Sequence, residues 1–230
     1  MKKLGVIGGL GPMATAYFLQ LLVQMTEART DQEHIEVLLH SKPQIPDRTR
    51  FILGQSREDP LPQMVEIGRE LAGQGAELIA VPCVTAHYFQ KKLEDSIGIP
   101  VVDTIRETAT DGTIESGLFQ RAFAGEGISA MLPDRAGQQA VMQIIYQNVK
   151  AGQPVDSAAF WRVAEGLFGQ GAQAVLLACT ELSLVKRDFG LGEGFLDVME
   201  VLARKAVLIC GRLKGQYECL LRLREGQCPS

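Results

Sequence analysis

The chain has 230 residues, 46% of them hydrophobic, and a formal charge of −4 from 23 basic and 27 acidic side chains. That length allows one or two domains, and the apolar content is enough to offset the ordering entropy that keeps polar chains disordered. A mildly acidic balance without a long Lys/Arg run argues against a nucleic-acid partner. No apolar stretch reaches the ~20 residues that a membrane span needs.

In chain order, Lys2 and Lys3 precede an apolar run that breaks at Gly8-Gly9. No small-residue cleavage pattern follows, so residues 4–7 read as the first buried strand of a cytosolic protein and not as a signal peptide. Helical spacing of apolar residues predicts a helix over 13–28. A second strand is expected over 34–39, and the prolines at 43 and 46 make 41–48 a loop. An amphipathic helix over 62–73, a strand over 78–81, a helix from about 85 to 95 and a strand over 99–102 follow. The later part predicts a strand over 128–132, a helix from Pro133-Asp134 to about 151 and a helix over 154–169. A strand over 174–177 and a long apolar helix over 198–213 come next. The basic tail, 214–230, reads as a fraying helix. Strands alternating with helices give βαβ units and a mostly parallel sheet.

Shifting the chain by 96 residues lays Leu71-Ala72-Gly73-Gln74-Gly75-Ala76 over Leu167-Phe168-Gly169-Gln170-Gly171-Ala172. Beyond it, Leu78-Ile79-Ala80-Val81-Pro82-Cys83 lies over Ala174-Val175-Leu176-Leu177-Ala178-Cys179. Both stretches read helix end, Gly-Gln-Gly-Ala turn, apolar strand, cysteine. Such a repeat predicts an α/β protein of two halves related by a pseudo-twofold. One half is expected from 1–102 with 206–230, the other from 103–205. Each cysteine would then stand at the carboxyl end of a strand, the edge where open α/β sheets bind ligands.

Five cysteines in a long chain suit reduced thiols better than a disulfide framework. No CxxC pair offers a zinc site, and His34, His40 and His87 are dispersed. Taken singly, Cys83 or Cys179 would pass for a packing residue. As a repeated pair, each before a helix start that favours a thiolate, they can work on opposite faces of one carbon. One removes a proton and the other returns it, which is stereoinversion without a cofactor. Cys210, Cys219 and Cys228 lack that context. The glycines Gly5, Gly8, Gly9 and Gly11 follow a strand, yet the spacing is not GxGxxG and no acidic residue ends the second strand. The loop therefore reads as close backbone approach to a small carboxylate, not as a nicotinamide site.

Several stretches carry a family likeness. They are Gly5-Val6-Ile7-Gly8-Gly9-Leu10-Gly11-Pro12, Pro43-Gln44-Ile45-Pro46-Asp47-Arg48-Thr49, Pro82-Cys83-Val84-Thr85-Ala86-His87, Asp111-Gly112-Thr113 and Cys179-Thr180-Glu181-Leu182. In order and coverage the chain resembles the aspartate/glutamate racemase family, in its cofactor-independent amino-acid racemase branch. The resemblance implies two pseudo-symmetric Rossmann-like α/β halves with mostly parallel sheets and the active site in the cleft between them. It implies an isomerase acting on an amino acid, with no cofactor, often as a homodimer, and Cys83 and Cys179 as the acid/base pair. It implies substrate contacts from Leu10, Asp47, Arg48, Val84, Thr85, Thr113, Lys150 and Thr180. Arg48 suits bidentate carboxylate binding; without the likeness it would read as a solvated loop arginine. Lys150 matches a second carboxylate-binding position, although the helix dipole alone accounts for a lysine there. Thr85 and Thr180 can also serve as helix N-caps. His87 and Glu181 lie near enough to tune the cysteines.

Two departures stand out. The family usually has asparagine after the first cysteine; here Val84 cannot hydrogen-bond, so one polar contact is lost or moved and the amino acid recognised is left open. Second, the ten residues 103–112 cannot supply both the helix remainder and the strand that the family places there. The second sheet should then lack a strand, unless 99–102 substitutes for it, and the chain would be shortened or catalytically weakened. Related two-cysteine enzymes, hydantoin racemase and maleate isomerase, and a non-catalytic amino-acid binder are the alternatives.

Overall fold

The stretch Leu4–Gly8 forms β1, buried along its whole length. A strand covered on both faces belongs inside a parallel sheet, and β1 lies between two parallel neighbours, β2 (Val37–Ser41) and β3 (Leu78–Ala80). Its side chains alternate between two cores. Leu4 and Val6 pack with Phe18 and Leu22 of α1 (Pro12–Met25), whereas Ile7 joins Met64 and Leu71 of α3 (Leu61–Gly73). The short α2 (Arg48–Ile52) ends the loop after β2, and α4 (Gln90–Ile97) follows a 3₁₀ segment, Val84–Phe89. The computed structural model describes residues 1–102 and 129–224; Thr113, the segment 103–112 and Cys228 lie outside the described residues.

Among the described residues, the second half opens with α5 (Arg135–Gln143), which runs on into a π-turn, Ile144–Val149. Then come α6 (Ser157–Gly169), β4 (Val175–Leu177), α7 (Thr180–Phe189), β5 (Phe195–Asp197) and α8 (Val198–Cys210). Phe160, Phe168, Val175, Leu177 and Phe195 form its core. From Met199 to Cys210, α8 instead packs on α1 and the first sheet. No helix among the described residues is long and apolar enough to cross a membrane.

The repeat seen in the sequence is a repeat of backbone geometry. The helices α3 and α6 end at Gly73 and Gly169, and each chain then turns through a left-handed glycine, Gly75 at φ +95° and Gly171 at φ +96°. Glycine is the residue that tolerates that φ. The amide of Ala76 donates to Leu71 O at 3.0 Å and that of Ala172 to Leu167 O at 3.1 Å, which closes the same turn twice. The correspondence extends further than the sequence reading took it. Val101 bridges Ile79 in parallel, as Phe195 pairs with Val175 in the β4–β5 ladder.

Several expectations need correction. The strand expected over 99–102 is reduced to that one bridge, because Pro100 has no N–H to extend a ladder. Since Val101 joins β3, this segment adds to the first sheet and does not substitute in the second, which has two strands among the described residues. Residues 129–132, the described part of an expected strand, are irregular and exposed. The strand β5, not anticipated, pairs with β4. As far as residue 224, the tail is not a fraying helix. Over the described residues 211–224 it is irregular, with one 3₁₀ turn at Gly215–Tyr217. It is tied down by partners on both halves: Leu213 bridges Thr26, Arg222 O accepts from Gly194 N at 2.6 Å, and the Arg224 guanidinium lies 3.7 Å over the Phe168 ring.

Candidate active site

The strands β3 and β4 each run into a cysteine. Cys83 and Cys179 adopt extended backbone at the N-cap positions of the helical segments that follow, and neither makes a side-chain cap bond. Both line one cavity of about 1230 Å³, into which the two halves contribute in parallel. Leu10, Arg48, Val84 and Thr85 line it from the first half, and Tyr146, Lys150, Thr180 and Glu181 from the second. Of the substrate contacts suggested by sequence, all but Asp47 and Thr113 are thus brought together. Thr113 lies outside the described residues. The Asp47 carboxylate instead caps α2, accepting from Arg50 N at 2.9 Å.

Arg48 is not a solvated loop residue. It is 7% exposed, the first residue of α2, and donates to Pro46 O at 3.2 Å and to Leu10 O at 3.1 Å. Burial opposes its charge, but the Cys83 sulfur, Asp47 and Glu181 together outweigh that and raise its pKa. The glycine-rich loop makes this arrangement possible. Gly9 sits at φ +90°, and a Cβ there would lie 2.6 Å from the Lys42 carbonyl carbon. Only glycine lets the first loop close over the second and bring Leu10 O to Arg48.

Lys150 follows the π-turn, with its Nζ 3.5 Å from Glu181 Oε1 and 4.7 Å from the centroid of the Tyr146 ring. Burial would lower its pKa, yet Glu181 and then Cys179 raise it, and Cys83 adds to the rise. The ammonium is therefore charged and within reach of both sulfurs' fields. Burial raises the Tyr146 pKa, against a hydrogen bond with Thr49 across the cleft and the charge of Lys150.

The immediate partners of the cysteines differ. Cys83 Sγ is 3.3 Å from Thr85 Oγ1. Cys179 Sγ donates to Glu181 Oε2 at 2.8 Å, and Thr180 Oγ1 donates to the same oxygen at 3.3 Å. Neither threonine caps its helix; their hydroxyls serve the site. The expectation that both helix starts favour a thiolate fails for Cys179. Burial pushes that thiol well up, the Glu181 carboxylate pushes it further, and Lys150 opposes only part of the rise. His87 is buried and turned to Gln90 Oε1 at 3.3 Å. Glu181, 5% exposed at the centre of these contacts, is the residue the sequence reading underweighted. The repeat itself held the signal, because 96 residues on from Thr85 stands Glu181.

Comparison with known proteins agrees with this geometry. The chain is 23% identical over 224 residues to the broad-specificity amino-acid racemase RacX of Bacillus subtilis, covering 89% of this chain and 96% of that protein. It superposes on the Picrophilus torridus aspartate racemase with a TM-score of 0.81 at 27% identity, covering 94% of this chain and 98% of that one. A more distant match, the glutamate racemase of Thermus thermophilus, shares the fold at a TM-score of 0.53 and 20% identity, over 90% of this chain and 80% of that one. The model of the Asp/Glu/hydantoin racemase family matches residues 7–206. With that match across both halves, the chain belongs to the Asp/Glu/hydantoin racemase family.

Proposed function

We propose that the protein is a cofactor-independent amino-acid racemase that moves the α-proton between two cysteines. The observation that carries this reading is the pair itself: Cys83 and Cys179 end equivalent strands and line a single cavity from its two halves. In one direction the Cys83 thiolate takes the α-proton, and the Cys179 thiol gives its proton to the opposite face. Loss of the Cys83 proton to solvent and uptake of one by Cys179, or a turnover in reverse, restores both groups, and no redox partner is needed. Charge that builds on the carboxylate as the α-carbon loses its proton is met by Arg48 and Lys150, which are preorganised in a largely buried site. The Thr85 and Thr180 hydroxyls orient the sulfurs and the carboxylate. The described cysteines are free thiols, the state this chemistry requires.

Two cations facing one cavity make aspartate and glutamate the first substrates to test. Val84, which lines the cavity as an apolar group, favours tolerance of other side chains over strict aspartate recognition. In the same reading, residues 1–102 with the C-terminal segment form one half and the intervening chain the other. The enzyme works in the cytoplasm, as a homodimer. The purified protein, incubated with single enantiomers of acidic, neutral and basic amino acids and no added cofactor, should generate the opposite enantiomer of at least one, read by chiral chromatography. Binding by thermal shift with no inversion for any amino acid would leave a non-catalytic binder in its place.

A further inference from the structure

We propose that Glu181 is a positioning residue that keeps Cys179 as the resting thiol, so that Cys83 is the resting base and the unliganded site is poised in one direction. Its mechanistic consequence rests on the two-cysteine reading; its chemistry does not. The two halves place different groups at one position. Two residues beyond Cys83 stands the Thr85 hydroxyl, neutral and 3.3 Å from the sulfur. Two residues beyond Cys179 stands a carboxylate at 2.8 Å, oriented to accept the thiol proton. An ionised carboxylate can only accept here, and a thiolate beside it would face a like charge. Removing the Cys179 proton therefore costs both a charge-assisted bond and a repulsion.

The remaining groups around Cys179 do not reverse this. Lys150, from the turn before α6, is the nearby cation, and its Nζ lies 3.5 Å from the other carboxylate oxygen of Glu181. That pairing divides the ammonium between carboxylate and sulfur. Tyr146, on the same π-turn, keeps its phenol proton because burial raises its pKa. From the first half, Gly11 closes over the carboxylate: a Cβ there would come within 3.2 Å of Glu181 Oε1. Cys83 has a different set, with the Arg48 guanidinium beside it. A buried permanent cation next to one sulfur and a buried carboxylate next to the other fix which carries the proton at rest. A substrate enantiomer that presents its α-proton to Cys83 meets the enzyme in its abundant form. Its mirror image requires the proton to have moved to Cys83 first.

The test is site-resolved alkylation of the full-length protein with iodoacetamide between pH 6 and 10, each cysteine quantified by peptide mass spectrometry. The midpoint of each pH profile is read, because midpoints do not depend on access as rates do. In the wild type, the Cys179 midpoint should lie well above that of a free thiol. Glu181→Gln, which keeps an acceptor and removes the charge, should lower the Cys179 midpoint by about one unit or more. That is about a tenfold gain in alkylation on the acid side, with Cys83 unchanged. Glu181→Asp should restore much of the wild-type midpoint. A wild-type Cys179 that titrates as an ordinary free thiol overturns the proposal without any variant. So does a Gln variant whose Cys179 profile stays put, or in which both cysteines shift together. Midpoints as expected in a protein that inverts no amino acid would overturn the racemase reading and leave the Glu181 assignment standing.

Discussion

The two cysteine loops share their backbone and differ in their chemistry. Each follows a helix, a left-handed glycine and a short parallel strand, in matching register down to the residue that pairs beside it. Yet one sulfur neighbours a hydroxyl and an arginine, and the other a carboxylate bridged to a lysine. Repetition of the fold brings two equivalent atoms to one cavity, and divergence of side chains two residues away makes them unequal. An enzyme that must hold one proton between two bases needs both properties. In the proposed mechanism, symmetry is what would set the sulfurs on the two sides of the carbon, and asymmetry what would define which is loaded.

The strongest challenge to this comparison is substitution of each sulfur in turn. Cys83→Ser and Cys179→Ser should each lower racemisation by roughly 10²–10⁴-fold, the usual contribution of a positioned acid or base, with little change in melting temperature. A loss confined to one cysteine would break the equivalence of the loops. Gly9→Ala tests how the first half holds its arginine. The added Cβ meets the Lys42 and Pro43 backbone in a left-handed conformation, so stability should fall by about 2–4 kcal/mol in denaturant titration.

A smaller effect belongs to the second half alone. Asp197, fully buried at the end of β5, accepts from Ser183 Oγ at 2.5 Å and from Met199 N at 2.8 Å. Burial and then the Glu200 charge push its carboxyl up from 3.8 to about 7. A folded-state pKa above the unfolded one means that the native state binds the extra proton. This group's contribution to stability is therefore present at low pH and lost as pH rises from about 4 through about 7. Asp197→Asn, which keeps the acceptor and cannot ionise, should flatten that fall by on the order of 1–2 kcal/mol across the interval. The smallest effect sharpens the role of the tail. Arg224 lies over the Phe168 ring and pairs with Glu165 at 3.1 Å. Arg224→Ala should cost about 1 kcal/mol in thermal unfolding and leave turnover unchanged.

Much of the frame could be read from local chemistry. The Gly-Gln-Gly-Ala turns, the apolar strands before the cysteines and the prolines after β2 each act through nearest neighbours, and each stands where the sequence put it. What escaped depends on distant partners. The strand β5 is three residues long and exists because β4 lies beside it, while Pro100 cut its counterpart to a bridge. The tail was misread because its irregular form depends on Thr26, Gly194 and Phe168, all remote in sequence. In the site, Arg48, the cysteines and Lys150 were legible from residue type and likeness. Glu181 was legible only as a neighbour able to tune a cysteine, because a carboxylate near a helix start reads as ordinary dipole stabilisation. Only the fold reveals that a thiol and an ammonium converge on it.

The central claim is that two different groups serve the two faces of the α-carbon. Racemisation of a single enantiomer in D₂O, followed at early times by NMR and chiral mass spectrometry, tests it most directly. The account predicts deuterium at the α-carbon of the product enantiomer while the remaining substrate keeps its proton, because the incoming proton comes from the other cysteine. Equal early labelling of substrate and product would mean that one base serves both faces, and would contradict it.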